Sequence, residues 1–168
     1  RIAVVVTAAI LIASTGFAHV VWTGLGGNRN WDNPNNWKEL QGDPPAPTGP
    51  ARLPEAADEA YINGPAGQTN KPLIAEGMEA ICKVLVTESG TPTIEMTGGH
   101  LELAGWGSWI GDGAGNVATF EMKGGIIDYT GSPGILELGW QPSGSTPGSC
   151  KGIWEMTGGV VNAKFRGA

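Results

Sequence analysis

The chain has 168 residues with a net charge of −6, and it contains 28 glycines, 12 prolines and only 15% charged residues. Glycine and proline are the poorest helix formers, so the composition argues against long helices. The acidic balance, with no basic patch, excludes nucleic acid as a partner. Hydrophobic residues make up 40% of the chain and seven residues are tryptophan, which is enough apolar surface for a folded core.

Residues 1–18 have the pattern of a secretory signal peptide. Arg1 precedes an apolar run over residues 2–13, and small residues, Gly16 and Ala18, stand where the −3 and −1 positions of a cleavage site would be. The run is short for a bilayer-spanning helix, so we predict a signal helix and no other transmembrane span. The predicted location is extracellular or at the cell surface. If the segment is retained, it would serve as an anchor or pack inside a filament.

Residues 19–75 show no helical periodicity and are rich in Trp, Asn and Pro. We predict an irregular module that caps the first unit of a repeat, with Trp22, Trp31 and Trp37 as its small core. Two alternatives are open. The three rings could form a carbohydrate-stacking platform, and Asp32 with neighbouring Asn side chains could hold Ca²⁺, which takes oxygen ligands.

The strongest internal pattern is a repeat. The motif Glu-Met-Thr-Gly-Gly, with Lys for Thr in the second copy, occurs at 95–99, 121–125 and 155–159. Short strands that turn at glycine pairs predict stacked units. The predicted fold class is therefore an all-β, parallel β-solenoid over residues 76–168. It follows the signal helix and the irregular cap, and we expect the repeat to continue beyond Ala168.

Alternation within the repeat predicts which side chains face the core. Met96, Met122 and their neighbours two residues away fall on one side, and Glu95, Glu121 and Glu155 fall on the other. We call these three glutamates the acidic ladder. Stacked in register about 4.8 Å apart, two such charges in water repel each other by roughly 0.9 kcal/mol, which a fold tolerates. The ladder is interpreted as a solvated face; the alternative is a bridging divalent cation such as calcium.

Candidate catalytic residues are few. His100 has no accompanying Lys or Arg cluster, and Asp112 lies in a glycine-rich turn that lacks the Lys-Ser/Thr end of a phosphate-binding loop. The acidic residues recur at equivalent positions, as structural repeats do, whereas a catalytic pair would be a unique departure. We therefore predict a protein that is not an enzyme and needs no cofactor.

The chain has two cysteines, Cys82 and Cys150, outside any CxxC motif. In an oxidising compartment they could form a disulfide. The alternative is that they are two unrelated thiols, since spacing alone does not supply the Cα distance.

The residues Trp22-Thr-Gly, Asn36-Trp37 and Asp58-Glu-Ala-Tyr-Ile62, followed by the Gly-rich repeats, resemble exported PEP-CTERM and autotransporter-like surface proteins of planctomycete and verrucomicrobial type. The resemblance implies a secreted or surface-attached β-strand-repeat protein with no catalytic residues. The expected function is structural or adhesive, at the cell surface or in an extracellular matrix.

Two alternative functions remain. One is a carbohydrate-binding module, or part of an extracellular polysaccharide-degrading protein, with Trp106, Trp109 and Trp140 stacking on sugars. The other is a filament subunit that assembles head to tail with copies of itself. The expected partners are accordingly a cell-surface or extracellular polysaccharide, or the chain itself.

Overall fold

A computed structural model describes residues 19–42, 45–63, 71–132, 134–139 and 150–163. The predicted signal peptide, residues 1–18, lies outside these ranges. The described residues form twelve strands in two sheets, together with one 3₁₀ helix, Pro34–Asn36.

The first sheet has six strands in the order β10-β8-β6-β3-β1-β2. In chain order they are β1 (His19–Trp22), β2 (Trp37–Glu39), β3 (Glu59–Tyr61), β6 (Val84–Thr87), β8 (Gly107–Ile110) and β10 (Ile135–Leu138). Every pair in this sheet is parallel except β1 with β2, which is antiparallel.

The second sheet is parallel throughout, with β11-β9-β7-β4 as its main order. Shorter strands pair beside the long ones, β5 with β7 and β12 with β9. Its strands are β4 (Leu73–Ile74), β5 (Glu79–Cys82), β7 (Thr93–Leu103), β9 (Val117–Tyr129), β11 (Lys151–Met156) and β12 (Val160–Asn162).

Alternating side chains from both sheets make one continuous core. In β7 and β9, the inward residues Ile94, Met96, Phe120 and Met122 are at most 1% exposed, as the repeat predicted. The glycine pairs let these long strands bend. Gly125 has φ +89°, and a Cβ there would lie 2.5 Å from the carbonyl oxygen of Gly98, so this position requires glycine.

The N-terminal end of the molecule is closed. Trp22, Trp31 and Trp37 are at most 2% exposed and pack edge to face, with the Trp37 Nε1–H donating to the Trp31 carbonyl oxygen at 2.9 Å. The outer edge of β2 exchanges backbone hydrogen bonds with Gly49 and Pro50. The prediction that these three tryptophans form a core, and not an exposed stacking platform, is confirmed.

The predicted fold class, an all-β parallel β-solenoid with an irregular cap and a signal helix, is wrong. The structure is a pair of mostly parallel sheets, and the described residues contain no α-helix. The segment 19–75, expected to be irregular, supplies β1–β4 and thereby extends both sheets. Its strands form because Val20, Trp22, Ala60 and Ile62 alternate with outward residues and bury completely, a short pattern that the surrounding Pro and Asn residues obscured.

Candidate functional site

The outer face of the first sheet carries an aromatic row. Its register places Val21, Tyr61, Val86, Trp109 and Glu137 side by side on successive strands. Neighbouring strands are about 4.8 Å apart, so Tyr61 and Trp109, two strands apart, are separated by roughly 10 Å. These positions alternate with those that face the core, so they lie on the outer side of the sheet, although Val86 in the middle of the row is only 3% exposed.

Trp106 stands at the turn before β8 and is 48% exposed. Its ring meets Trp109 edge to face, with the centroids 4.9 Å apart and the planes at 78°. Trp109 is held in place because its Nε1–H donates to Glu137 Oε2 at 2.7 Å. The backbone of Trp106 is also fixed, since its carbonyl oxygen accepts from the Ile135 N–H at 3.0 Å. We call Tyr61, Trp106 and Trp109 the aromatic face.

A cavity of about 330 Å³ lies at the N-terminal side of the same sheet, with His19, Leu40, Tyr61 and Glu88 among its walls. The rings of His19 and Tyr61 meet edge to face at 5.5 Å. Glu59 lies beside both rings: the Tyr61 hydroxyl donates to its Oε2 at 3.0 Å, and His19 Nδ1 lies 3.2 Å from the same atom without a hydrogen bond. The cavity shares Tyr61 with the aromatic face.

The rim of this surface is acidic. Burial, followed by repulsion from Asp112, raises the pKa of Glu88 above its usual range. Burial likewise raises the pKa of Asp112, and the charge of Glu137 adds to it. Carboxylates beside aromatic rings accept hydrogen bonds from hydroxyl groups while the rings contact apolar CH surfaces. This combination suits a polyhydroxylated ligand.

The structure describes two of the three predicted stacking residues. Trp106 and Trp109 come together on the aromatic face, whereas Trp140 lies outside the described residues. Tyr61, His19 and Glu88 were not predicted as site residues. Tyr61 alternates with the buried Ala60 and Ile62, so its outward position could have been inferred from the sequence. Its place in the same row as Trp109 could not, because that depends on the order of strands distant in sequence.

The acidic ladder is in register, with Glu121 opposite Glu95 on one side and Glu155 on the other. Two of its glutamates, Glu95 and Glu121, have cationic side chains in contact. Arg29 and Lys123 both contact Glu95, Lys123 Nζ at 2.6 Å from Oε1, and these two cations lower the pKa of Glu95 to about 2. Lys71 and Lys123 each lie 3.3 Å from a carboxylate oxygen of Glu121.

The sequence analysis did not predict the cationic side chains that contact the acidic ladder. Lys123 was visible as the one departure in the repeated motif, where the other copies have Thr97 and Thr157. Arg29 and Lys71 come from distant segments and left no sequence pattern.

The calcium candidates are not brought together. Asp32 is exposed beside the 3₁₀ helix. Within the described ranges, no group of three or more His, Cys, Asp or Glu side chains is arranged to hold a metal ion.

The disulfide left open by the sequence is not formed. Cys82 is a free thiol, 0% exposed in the core, and burial raises the pKa of this thiol. The sulfur of Cys150 lies 3.2 Å from the carbonyl oxygen of Gly139, at the far end of the first sheet.

Among the described residues, no helix has the length and hydropathy needed to cross a membrane. Comparison of the chain with protein-family models, with curated proteins and with solved structures finds no match.

Proposed function

We propose that the chain is an exported, non-catalytic adhesive protein that binds polysaccharide through the aromatic face. The observation that carries the proposal is the pair of Trp106 and Trp109, one exposed and the other fixed by Glu137. Contiguous exposed apolar patches, and not single exposed side chains, mark contact sites, and Trp106 with Trp109 forms such a patch. A ring held before binding loses little conformational entropy when the partner arrives.

The architecture supports this role. Parallel strands present outward residues at a regular spacing of about 4.8 Å, so the face repeats along the sheet as a polysaccharide repeats along its chain. The acidic rim offers acceptors for sugar hydroxyls, and the net charge of −6 favours neutral glycans over acidic ones. The proposal includes export through residues 1–18 and a location at the cell surface, which the signal-peptide pattern and the resemblance to PEP-CTERM and autotransporter-like proteins support.

The test is a titration with soluble neutral polysaccharides, read by tryptophan fluorescence and by affinity electrophoresis. Trp106→Ala should weaken binding by about tenfold or more, which corresponds to roughly 1.4 kcal/mol and is within the range of one aromatic contact. Leu25→Ala is the control, because Leu25 is 80% exposed and distant in sequence from the aromatic face.

A second variant, Trp109→Phe, keeps a ring but removes the hydrogen bond to Glu137, and we expect intermediate binding. Saturable binding that Trp106→Ala leaves unchanged would place the site elsewhere. No saturable binding by any polysaccharide would refute the proposed function. Release of reducing ends that is abolished by Glu88→Gln would mean that the protein is an enzyme.

A further inference from the structure

The aromatic residues of the first sheet belong to a row that crosses all six of its strands. The register sets one outward residue of each strand beside that of the next. In strand order from β2 to β10 these residues are Lys38, Val21, Tyr61, Val86, Trp109 and Glu137. We call these six residues the cross-strand row.

The cross-strand row is the long axis of this face. Five strand spacings of about 4.8 Å make it about 24 Å long. The face is shorter along the strands, because each strand has only three or four residues, or about 10–13 Å at roughly 3.3 Å per residue. A linear polymer that contacts as much of the face as possible therefore lies across the strands.

Two positions of the cross-strand row carry aromatic rings. Tyr61 and Trp109 are half-buried, whereas Val86 between them is 3% exposed, so ligand contacts fall mainly on the two rings. Their strands are roughly 10 Å apart. Both side chains are held before a ligand arrives, since the Tyr61 hydroxyl donates to Glu59 Oε2 at 3.0 Å and the Trp109 Nε1–H donates to Glu137 Oε2 at 2.7 Å.

Two stacking positions at this distance distinguish between glycosidic linkages. In a β-1,4-linked chain of glucose, mannose or N-acetylglucosamine, both bonds to each ring are equatorial. Such a chain is extended, and each sugar advances it by close to one strand spacing. Successive sugars are turned over, so every second sugar presents the same face to the same side. An α-1,4-linked chain curves into a helix and loses this alignment.

We propose that the aromatic face binds an extended β-1,4-linked polysaccharide that lies along the cross-strand row. One sugar stacks on Tyr61 and the next but one stacks on Trp109, while the sugar between them passes over Val86. This inference rests on the proposed polysaccharide binding, and it adds the linkage that the site selects and the direction in which the chain lies.

The surroundings of the two rings favour a neutral chain of this kind. The exposed ring of Trp106 meets Trp109 edge to face and widens the contact at that position. Glu137 accepts one hydrogen bond from Trp109 and has further acceptor capacity for a sugar hydroxyl. The charges of Glu59 and Glu88 act on Tyr61, so an acidic polysaccharide would be repelled at the other position.

The test is a length series on the wild-type chain, measured by isothermal titration calorimetry. The probes are cello-, manno- and N-acetylchito-oligosaccharides of two to six sugars, with maltohexaose as the α-1,4-linked control. At least one β-1,4 series should bind, with a gain of about tenfold between two and three sugars, because three sugars are needed to reach from Tyr61 to Trp109. Maltohexaose should show no such gain over maltose.

Tyr61→Ala removes one of the two stacking positions. It should weaken binding of the β-1,4-linked hexasaccharide by about tenfold and leave the disaccharide, which stacks at Trp109, almost unchanged. Tyr61→Phe is the matched control, because it keeps the ring and loses only the hydroxyl, so the length dependence should remain. Circular dichroism reports whether each variant folds, and the wild-type length series needs no variant.

The outcomes separate this inference from the proposed function. Affinity that does not rise with length, a hexasaccharide unaffected by Tyr61→Ala, or tighter binding of maltohexaose than of every β-1,4-linked hexasaccharide would each overturn the inference. In those cases polysaccharide binding itself still stands if Trp106→Ala weakens it. The absence of saturable binding by any polysaccharide would refute both.

Discussion

The ion pairs of Glu95 predict how the stability of the fold depends on pH. Glu95 is 15% exposed and receives Arg29 and Lys123, so its carboxylate is charged in the folded state far below the pH at which it would protonate in the unfolded chain. Glu95→Gln removes this charge with little change in side-chain size. The variant should be less stable than the wild type at neutral pH.

The magnitude follows from the pKa. A drop from 4.5 to about 2 corresponds to about 3 kcal/mol at neutral pH. Both cations are partly solvated, and screening by solvent reduces the figure to roughly 1–2 kcal/mol. Because the folded-state pKa is the lower one, this stability is present above pH 4.5 and is lost as the pH falls toward 2.

Urea denaturation at pH 7, 4 and 2 measures the effect, with Glu76→Gln as the control because Glu76 is exposed and has no ion pair within the described ranges. Glu95→Gln should lose its full 1–2 kcal/mol at pH 7, less at pH 4 and nothing at pH 2. A loss of the same size at all three pH values would show that packing, and not charge, explains the effect. No loss at pH 7 would refute the role given to Arg29 and Lys123.

Two further predictions concern the same sheet. His100 lies 2.9 Å from Glu79 and 3.0 Å from Asp128, and these partners, Glu79 first, raise its pKa. The stabilisation by these contacts is complete below about pH 6.5 and is lost as the pH rises through the raised pKa of His100. His100→Gln should therefore lower the melting temperature at pH 5.5 but not at pH 9. An equal effect at both pH values would refute this account of His100. Gly125→Ala should lower the free energy of unfolding by about 2 kcal/mol or more, because it combines a positive φ with a clash against Gly98; urea denaturation indistinguishable from the wild type would contradict this account of the bend.

Local features of the repeat were predictable because they depend only on alternation and on glycine. Aligning the repeated motifs predicts that Met96 and Met122 face the core and that the glutamate before each of them faces outward. The same alignment predicts that Trp109 pairs with Glu137. A glycine at positive φ in each pair, as at Gly99 and Gly125, follows from the same alignment.

The rest required information that a single sequence does not hold. The solenoid prediction treated 19–75 as separate from the repeat, but β1 and β3 pair with strands of the first sheet through contacts between distant residues. The same limit applies to the candidate site. Tyr61 and Trp109 lie on one face, two strands apart, only because of the strand order, and no local sequence pattern links them.

The two outer faces of the molecule differ in a way that bears on function. On the second sheet, Arg29, Lys71 and Lys123 compensate two members of the acidic ladder, Glu95 and Glu121, whereas no ion pair of Glu155 is found within the described ranges. On the first sheet, Trp106 is exposed, and Glu88 and Asp112 are held near each other at raised pKa.

The ion pairs of Glu95 and Glu121 lie on the second-sheet face, while the exposed aromatic ring and the carboxylates of raised pKa lie on the first-sheet face. The asymmetry is what we expect of a scaffold whose second sheet maintains the strand spacing and whose first sheet makes the contact.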